Sequence, residues 1–426
     1  MRHPDLCSLR PLLCLFLAAA GAGAASGAQP GAQVDQIIVV FKTHFDIGYT
    51  DMAKNVVERY RTTMIDQALA VCDRSRGVPA SQQFAWTLPG WPMSQIMSDW
   101  PGQTAERRRR IEEALRAGQF VVHGLPFTTH TELLEPEDLV RGLGFSSRVS
   151  RAVRVALPRD AKMTDVPCHS WILPTLLRHA GIEFLHLGCN AASSSPHVPQ
   201  LFWWEGPDGS RLLTMYAAEG YGTGLAPPAN WPYRTWLALI HTGDNHGPPR
   251  PEEISQLLTE AQTQWPDVTV RIGRLSDFAD ALLAEQRSIP TVRGDMPDSW
   301  IHGPLCNPQG ASLARTVRPQ LGAAESLHAL LQLWGLEVDD AAPTVAAAYE
   351  QSLLYGEHTW GGALAWVSAY DRPLAMSYGD TWRQQRAEGK FAKLEASWAE
   401  HTAYIEAARD LLVPLRERQL QTLARS

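Results

Sequence analysis

Along the chain, hydrophobic positions fall into short unbroken runs and longer stripes of three/four spacing. Ile37–Phe41 is an unbroken β-branched and aromatic run, which predicts a strand buried on both faces. From Asp51 to about Arg74 the pattern is helical, with Asp51 as a candidate N-cap. Phe84–Trp86 reads as a short strand. Gln103–Ala117 sets Ile111, Ala114 and Leu115 on one face of a charged helix that Gly118 stops. The same alternation continues: a strand over Phe120–His123 and a helix over Glu137–Val149. A segment around Lys162–Thr164 leads into Asp165, followed by a helix over Trp171–His179 and a strand over Glu183–Leu187. Leu201–Trp204 and Arg211–Tyr216 flank Gly206-Pro207-Asp208-Gly209, a hairpin signal. Glu252–Trp265, Val268–Ile272 and Ser276–Ala284 read as helix, strand and helix.

Strands alternating with helices predict a parallel sheet with covered faces, either open or closed into a barrel. The character changes after about Thr291. Pro and Gly are frequent through Gln309, and long helical stretches follow over Ala311–Leu336, Val345–Tyr355 and Asp380–Gln421. In the last, Phe391, Leu394, Trp398, Ile405, Ala408, Leu412 and Leu415 keep helical spacing, as a bundle requires. The chain therefore divides near Pro290–Pro319 into an α/β domain over 34–300 and a helical domain over 310–426.

Composition narrows the function class. With 38 basic and 45 acidic side chains the net charge is −7, so no basic surface points to nucleic acid or an anionic membrane. Trp, at 15 residues, outnumbers both Phe and Tyr, which suits a protein that stacks indoles on sugar rings; core filling is the alternative for any one of them. Residues 1–28 read as a signal peptide. Arg2, His3 and Arg10 precede the short apolar run Pro11–Ala20, and Ser26-Gly27-Ala28 offers small residues for cleavage. Export to a periplasm or the extracellular space is expected, with no membrane association once the peptide is removed. Cys72, Cys168, Cys189 and Cys306 then remain, too few and too widely spaced for a disulfide framework.

Four loops carry the chemistry. In the first, His44 and Asp46 stand at i and i+2 of a strand end and project together, half of a site that zinc favours; a capping Asp beside a surface His is the competing reading. The second is Asp165-Val166-Pro167-Cys168-His169-Ser170. The third, His241-Thr242-Gly243-Asp244-Asn245-His246-Gly247, is also a good turn sequence in its own right. The fourth is Gly356-Glu357-His358-Thr359-Trp360-Gly361-Gly362. His302 in Trp300-Ile301-His302-Gly303 rivals His358 as a ligand. His169 reads as a hydrogen-bond partner of a ligand and Cys168 as a packing residue.

Taken in order, with the Phe202–Ser210 stretch, these loops resemble glycoside hydrolase family 38, the α-mannosidases, over about Val34–Trp382. The resemblance implies a seven-stranded parallel β/α barrel-like domain followed by a three-helix bundle. It also implies one Zn2+ held by His44, Asp46, Asp165 and His358. Asp165 would be both ligand and nucleophile of a retaining glycosidase, and Asp244 the general acid/base. Trp86, Trp91, Glu132, Tyr216 and His302 are candidates to line the pocket of a mannose-containing glycan. Zinc chemistry fits such a role, because a Lewis acid can grip adjacent hydroxyls and favour an oxocarbenium-like ring.

The chain departs from the family pattern at Cys168, where a Gly is usual, and at Thr359, where an Asp usually follows the last ligand. Cys189-Asn190 stands where a substrate-binding Arg is expected. Two other functions share the residues: a metal-dependent carbohydrate deacetylase, and a sugar-binding relative without turnover.

Overall fold

The computed structural model describes residues 34–296, 307–362 and 378–426. The expected signal peptide, His302 and Cys306 lie outside the described residues. Ten strands form two five-stranded sheets. They are β1 (Gln36–His44), β2 (Trp86–Leu88), β3 (Phe120–Val122), β4 (Asp160–Asp165), β5 (Phe184–Cys189), β6 (Leu201–Glu205), β7 (Arg211–Ala217), β8 (Thr235–Asp244), β9 (Thr269–Ile272) and β10 (Thr291–Arg293). The first sheet runs β3-β2-β1-β8, with β9 also bonded to β1. The second runs β10-β6-β7-β5-β4; all its pairs are parallel except the β6–β7 hairpin. Hydrogen bonding thus divides the strands in two, where the sequence reading expects one ring of seven.

β1 is the centre of the first sheet. It pairs with β8 on one side, and with β9 and β2 along successive parts of its length. Its residues Ile37 to Val40 have no solvent exposure, as a strand covered on both faces demands. Burying each such side chain contributes roughly 1.5–3 kcal/mol, so this strand anchors everything built at its end. β8 and β10 went unread in the sequence. β8 carries the apolar run Trp236–Ile240, and its exposure rises from Ile240 onward, where the polar residues of the site begin.

The two sheets meet at two seams. Gly124, just after β3, donates to the carbonyl of Asp160 on β4. Thr223, beyond β7, donates to Leu239 of β8. All strand C-terminal ends that carry candidate residues therefore open toward one rim.

The helices Pro308–Leu333, Ala342–Tyr355 and Ala392–Arg425 pack on one another around Val317, Leu321, Val345, Ile405 and Leu412. The expected helix from Asp380 is broken at Gly389, whose φ of +79° lies in the left-handed region that glycine accepts. Among the described residues no helix is long and apolar enough to cross a membrane.

The helical part is fastened to the α/β part by buried polar contacts. Arg318 Nε lies 3.4 Å from Asp138 Oδ2 and 3.1 Å from Ser352 Oγ, and the same guanidinium donates to the Leu133 carbonyl. Ser352 in turn donates to Asp138 over 2.9 Å. Glu400 accepts from the backbone N–H groups of Ala53 and Lys54, so a bundle carboxylate caps a helix of the α/β part. Asp51 does not occupy that cap. The helix begins at Ala53, and Asp51 accepts from Met52 N and Asn55 Nδ2 instead.

Arg318→Met is expected to lower stability by about 3–5 kcal/mol, because it strands the Asp138 carboxylate in the interior. The double variant Arg318→Met/Asp138→Leu should recover most of the loss. Denaturant unfolding of both proteins checks this; equal losses would show that the ion pair is not the cause.

Candidate metal centre and active site

β1 delivers His44 and, two residues later, Asp46. Gly48, with φ +148°, then turns the chain away from the site. β4 ends at Asp165, whose φ of +92° is a strained conformation for a side chain that is not glycine. His358 arrives from the loop after the helix Ala342–Tyr355. Its backbone N–H donates to Thr128 O, and Glu357 forms an isolated antiparallel bridge with Thr129. Thr128 also donates its hydroxyl to Thr164 O, so one threonine ties the His358 loop to the end of β4.

These four side chains meet. One ligand atom from each of His44, Asp46, Asp165 and His358 lies within 4.8 Å of the others, and all four residues are buried. His44 Nε2 is 3.0 Å from His358 Nε2 and 3.1 Å from Asp46 Oδ1. His358 Nε2 is 3.2 Å from Asp46 Oδ1 and 2.9 Å from Asp165 Oδ2.

The remote nitrogen of each imidazole is already engaged. His44 Nδ1 is 2.9 Å from Thr164 Oγ1, and His358 Nδ1 is 2.7 Å from Glu357 Oε1. A carboxylate or hydroxyl at Nδ1 directs the Nε2 lone pair inward, the arrangement that orients metal-bound histidines. Two such lone pairs facing two carboxylates repel one another unless a cation lies among them. Two nitrogens and two carboxylate oxygens suit a borderline divalent ion of the zinc type.

A proton answers the same field. Burial opposes charge on His358, but Glu357, Asp165 and Asp46 together hold it well above the ordinary imidazole range. Burial, reinforced by His358, pushes His44 well below that range. Glu357 is itself raised by burial, though His358 and Thr359 favour its ionised form. Thr359, standing where the family pattern has Asp, donates both its N–H (2.8 Å) and its hydroxyl to Glu357 Oε2.

Asp165 divides its two oxygens. Oδ2 faces the cluster, and Oδ1 accepts from Asn190 Nδ2 at 2.7 Å and from the Tyr221 hydroxyl. Tyr221 also lies against the His44 ring, with centroids 5.0 Å apart. It gets there because the chain around it is bare. A Cβ at Gly188 would come within 2.6 Å of Gly220 O, and one at Gly222 within 2.4 Å of Leu239 O.

Asp244 pairs with His44 across the β1–β8 register. The loop beyond it is stitched to the first motif: Asn245 N–H donates to His44 O, and its side chain bonds both the N–H and the carbonyl of Asp46. Asp244 Oδ1 is 3.3 Å from His241 Nε2. Burial favours the neutral acid, but His241 and His44 outweigh it and hold this carboxyl below the ordinary range.

The proposed pocket lining fares differently. Trp86 has no solvent exposure and belongs to the main core, on the opposite face of its sheet from the site residues. Trp91 packs on Phe45 and Phe127 and donates to Glu350, so it supports β1's exit rather than facing sugar. Tyr216 is buried and donates to Pro167 O, bracing the Asp165 loop. Glu132 is exposed in a short turn. His169 and Cys168 are buried outside the cluster.

Glu357, Thr164, Asn190, Tyr221 and His241 went unassigned in the sequence reading. Two had a signal: Glu357, an acid beside the ligand histidine, and Asn190, which stands where a substrate-binding Arg is expected.

A buried His2Asp2 cluster at the C-terminal rim of a mainly parallel sheet defines a candidate metal-dependent α/β enzyme site. Comparison then supplies the family. The glycosyl hydrolases family 38 N-terminal domain matches residues 35–298, and the chain belongs to that family. An α-mannosidase from Enterococcus faecalis V583 superposes with a TM-score of 0.64 at 16% identity, covering 91% of this chain and 43% of that one. A second Enterococcus faecalis structure, a protein in glycosyl hydrolase family 38, gives 0.54 at 15% identity, covering 89% and 40%. This chain thus spans less than half the length of either. No curated protein matches it.

Glu357→Gln should weaken zinc affinity about 10–100-fold by removing the group that orients His358. Competition with a chromophoric chelator measures this. An unchanged constant would mean that His358 is positioned without Glu357.

Proposed function

We propose that this chain is the catalytic portion of a zinc-dependent retaining glycosidase acting on α-mannosides of exported or environmental oligosaccharides. The proposal includes an α/β domain over 34–300 whose seven central strands, β8-β1-β2-β3 and β4-β5-β7, act as a barrel-like wall, a bundle over 310–426, and export by residues 1–28. The observation that carries the reading is the divided carboxylate of Asp165, one oxygen toward the cation position and the other held by Asn190 and Tyr221. Ligating carboxylates are often hydrogen-bonded in this way; here the bonds also fix the plane of the carboxylate, as a nucleophile beside a cation requires.

His44, Asp46, Asp165 and His358 would hold the ion, which when bound supplies Lewis acidity toward sugar hydroxyls. Asn190 and Tyr221 fix the Asp165 carboxylate for attack on the anomeric carbon, giving a covalent glycosyl-enzyme through that side chain. Asp244, partnered by His241, gives a proton to the leaving oxygen and later takes one from water. Its carboxyl is ionised in the open site, so protonation accompanies substrate entry, when loss of water favours the neutral acid. Retention requires the two carboxyl groups about 5–5.5 Å apart. With Trp86, Trp91 and Tyr216 committed to packing, Tyr49 takes the part of sugar platform. It is half exposed beyond Asp46, with its phenol raised by burial and by the charge of Asp46.

Asp165→Asn should abolish nitrophenol release from an aryl α-mannoside in the zinc-loaded protein, and Asp244→Asn should slow it at least about 100-fold. Unchanged hydrolysis in both variants removes the proposal. Acetate release from an acetylated sugar without glycoside cleavage would make the chain a deacetylase, and sugar binding without either reaction a non-catalytic relative. Tyr49→Ala should raise KM several-fold with kcat little altered; steady-state kinetics with an oligosaccharide substrate would show otherwise if the ring lies off the sugar path.

A further inference from the structure

Directly beneath the metal cluster the interior is polar where a core is expected. Residues two apart on a strand share a face, and registered residues on neighbouring parallel strands point the same way. Lys42 therefore lies one pleat below His44, and Lys162 one pleat below Thr164, the residue that bonds His44. Lys162 is registered with His186 of β5, and Lys42 with His241 of β8 and Thr87 of β2. His123, just past β3, joins the same layer: Lys42 and Lys162 are both close enough to disfavour its charge. The two sheets thus present two amines and three imidazoles to one another.

Six buried polar atoms of this layer have no hydrogen-bond partner among the described residues: Lys42 Nζ, Thr87 Oγ1, His123 Nε2, both ring nitrogens of His186, and His241 Nδ1. Native interiors leave few such atoms in a whole domain, so this many in one layer marks a space that holds a polar guest. The sign of the guest follows from the lining. The side chains of the layer itself are amines, imidazoles and a hydroxyl; the nearest carboxylate, Asp244, touches it at His241 from the rim, where Asp46 and Asp165 also stand. Burial drives His123 and His186 toward the neutral form, so each offers an N–H, and it pushes Lys162 down to about 8. The rim carboxylates favour charge on both lysines but do not bond Lys42 Nζ, and one small anion between the two amines offsets the cost of burying them.

We propose that the polar layer between the sheets binds a single small inorganic anion of halide size, held by Lys42 and Lys162 with imidazole N–H groups of His123 and His186. The site stands on the layer's own geometry and is independent of the reaction at the rim. Its occupant completes the hydrogen bonding of the interior and supports the floor on which His44 and Thr164 rest.

Two measurements on the zinc-loaded full chain test this. Crystals soaked in sodium bromide should show an anomalous peak between Lys42 Nζ and Lys162 Nζ; water alone at that position overturns the proposal. In solution, replacing gluconate by chloride at constant ionic strength should raise Tm by a few degrees, as a ligand specific to the folded state does. Lys162→Met should lose that response while keeping one zinc per chain. A response equal in wild type and variant would place the halide elsewhere and sink the assignment. If the variant does not fold, the bromide map of the wild-type protein decides.

Discussion

Two imidazole lone pairs and two carboxylates are brought to one buried point, and that crowding is the constraint on which the rest of the molecule depends. Like-signed groups so close, and so far from water, cost several kcal/mol each unless a cation or a proton is shared among them. The fold therefore has to hold them against their own repulsion. It does so with β1, which is buried on both faces, and with a strained residue at the end of β4. Oxygens at the remote nitrogen of each histidine complete the support. Metal affinity and local folding are in this sense one quantity.

The helical part belongs to the site rather than being an appendage to it. His358 is its contribution, and the contacts that place this residue are made with the α/β part, through Thr128 and Thr129. Arg318 and Asp138 clamp the two parts close by, and Glu400 caps a helix of the first from within the second. A shift of the bundle by even an ångström would therefore be felt first at the cation position.

The rim and the layer beneath it carry opposite electrostatic characters. Above, carboxylates outnumber the groups that answer them, and a divalent cation suits the excess. Below, amines and imidazoles predominate, and Asp244 reaches them only at His241. Alternating the sign of charge across one pleat keeps the interior near neutrality without filling it with apolar side chains. The arrangement also explains why β4 does not read as a hydrophobic strand: its positions on this face bear Lys162 and Thr164.

How much of this was legible varied by residue. His44 and Asp46 could be read as a pair because strand periodicity alone puts i and i+2 on one side. Asp165, Asp244 and His358 were reached through the order of motifs, a signal that survives divergence in single positions. The burial of the aromatic candidates could not be read from their type. Residue type says that Trp86 or Tyr216 is large and amphipathic, but not which face of its strand turns toward the site. Tyr221 gave no signal and Asn190 only a departure from an expected Arg, since their contact with Asp165 exists only where the ends of β5 and β7 come within its reach. By itself, then, the chain's sequence determined the α/β character, the His and Asp residues that meet in the buried cluster and the family they belong to, because these rest on local period and motif order. Tertiary structure alone decided the split into two sheets, the second anchorage of Asp165 and the polar layer below. Each of those depends on distances between segments far apart in the chain, and no local pattern encodes such distances.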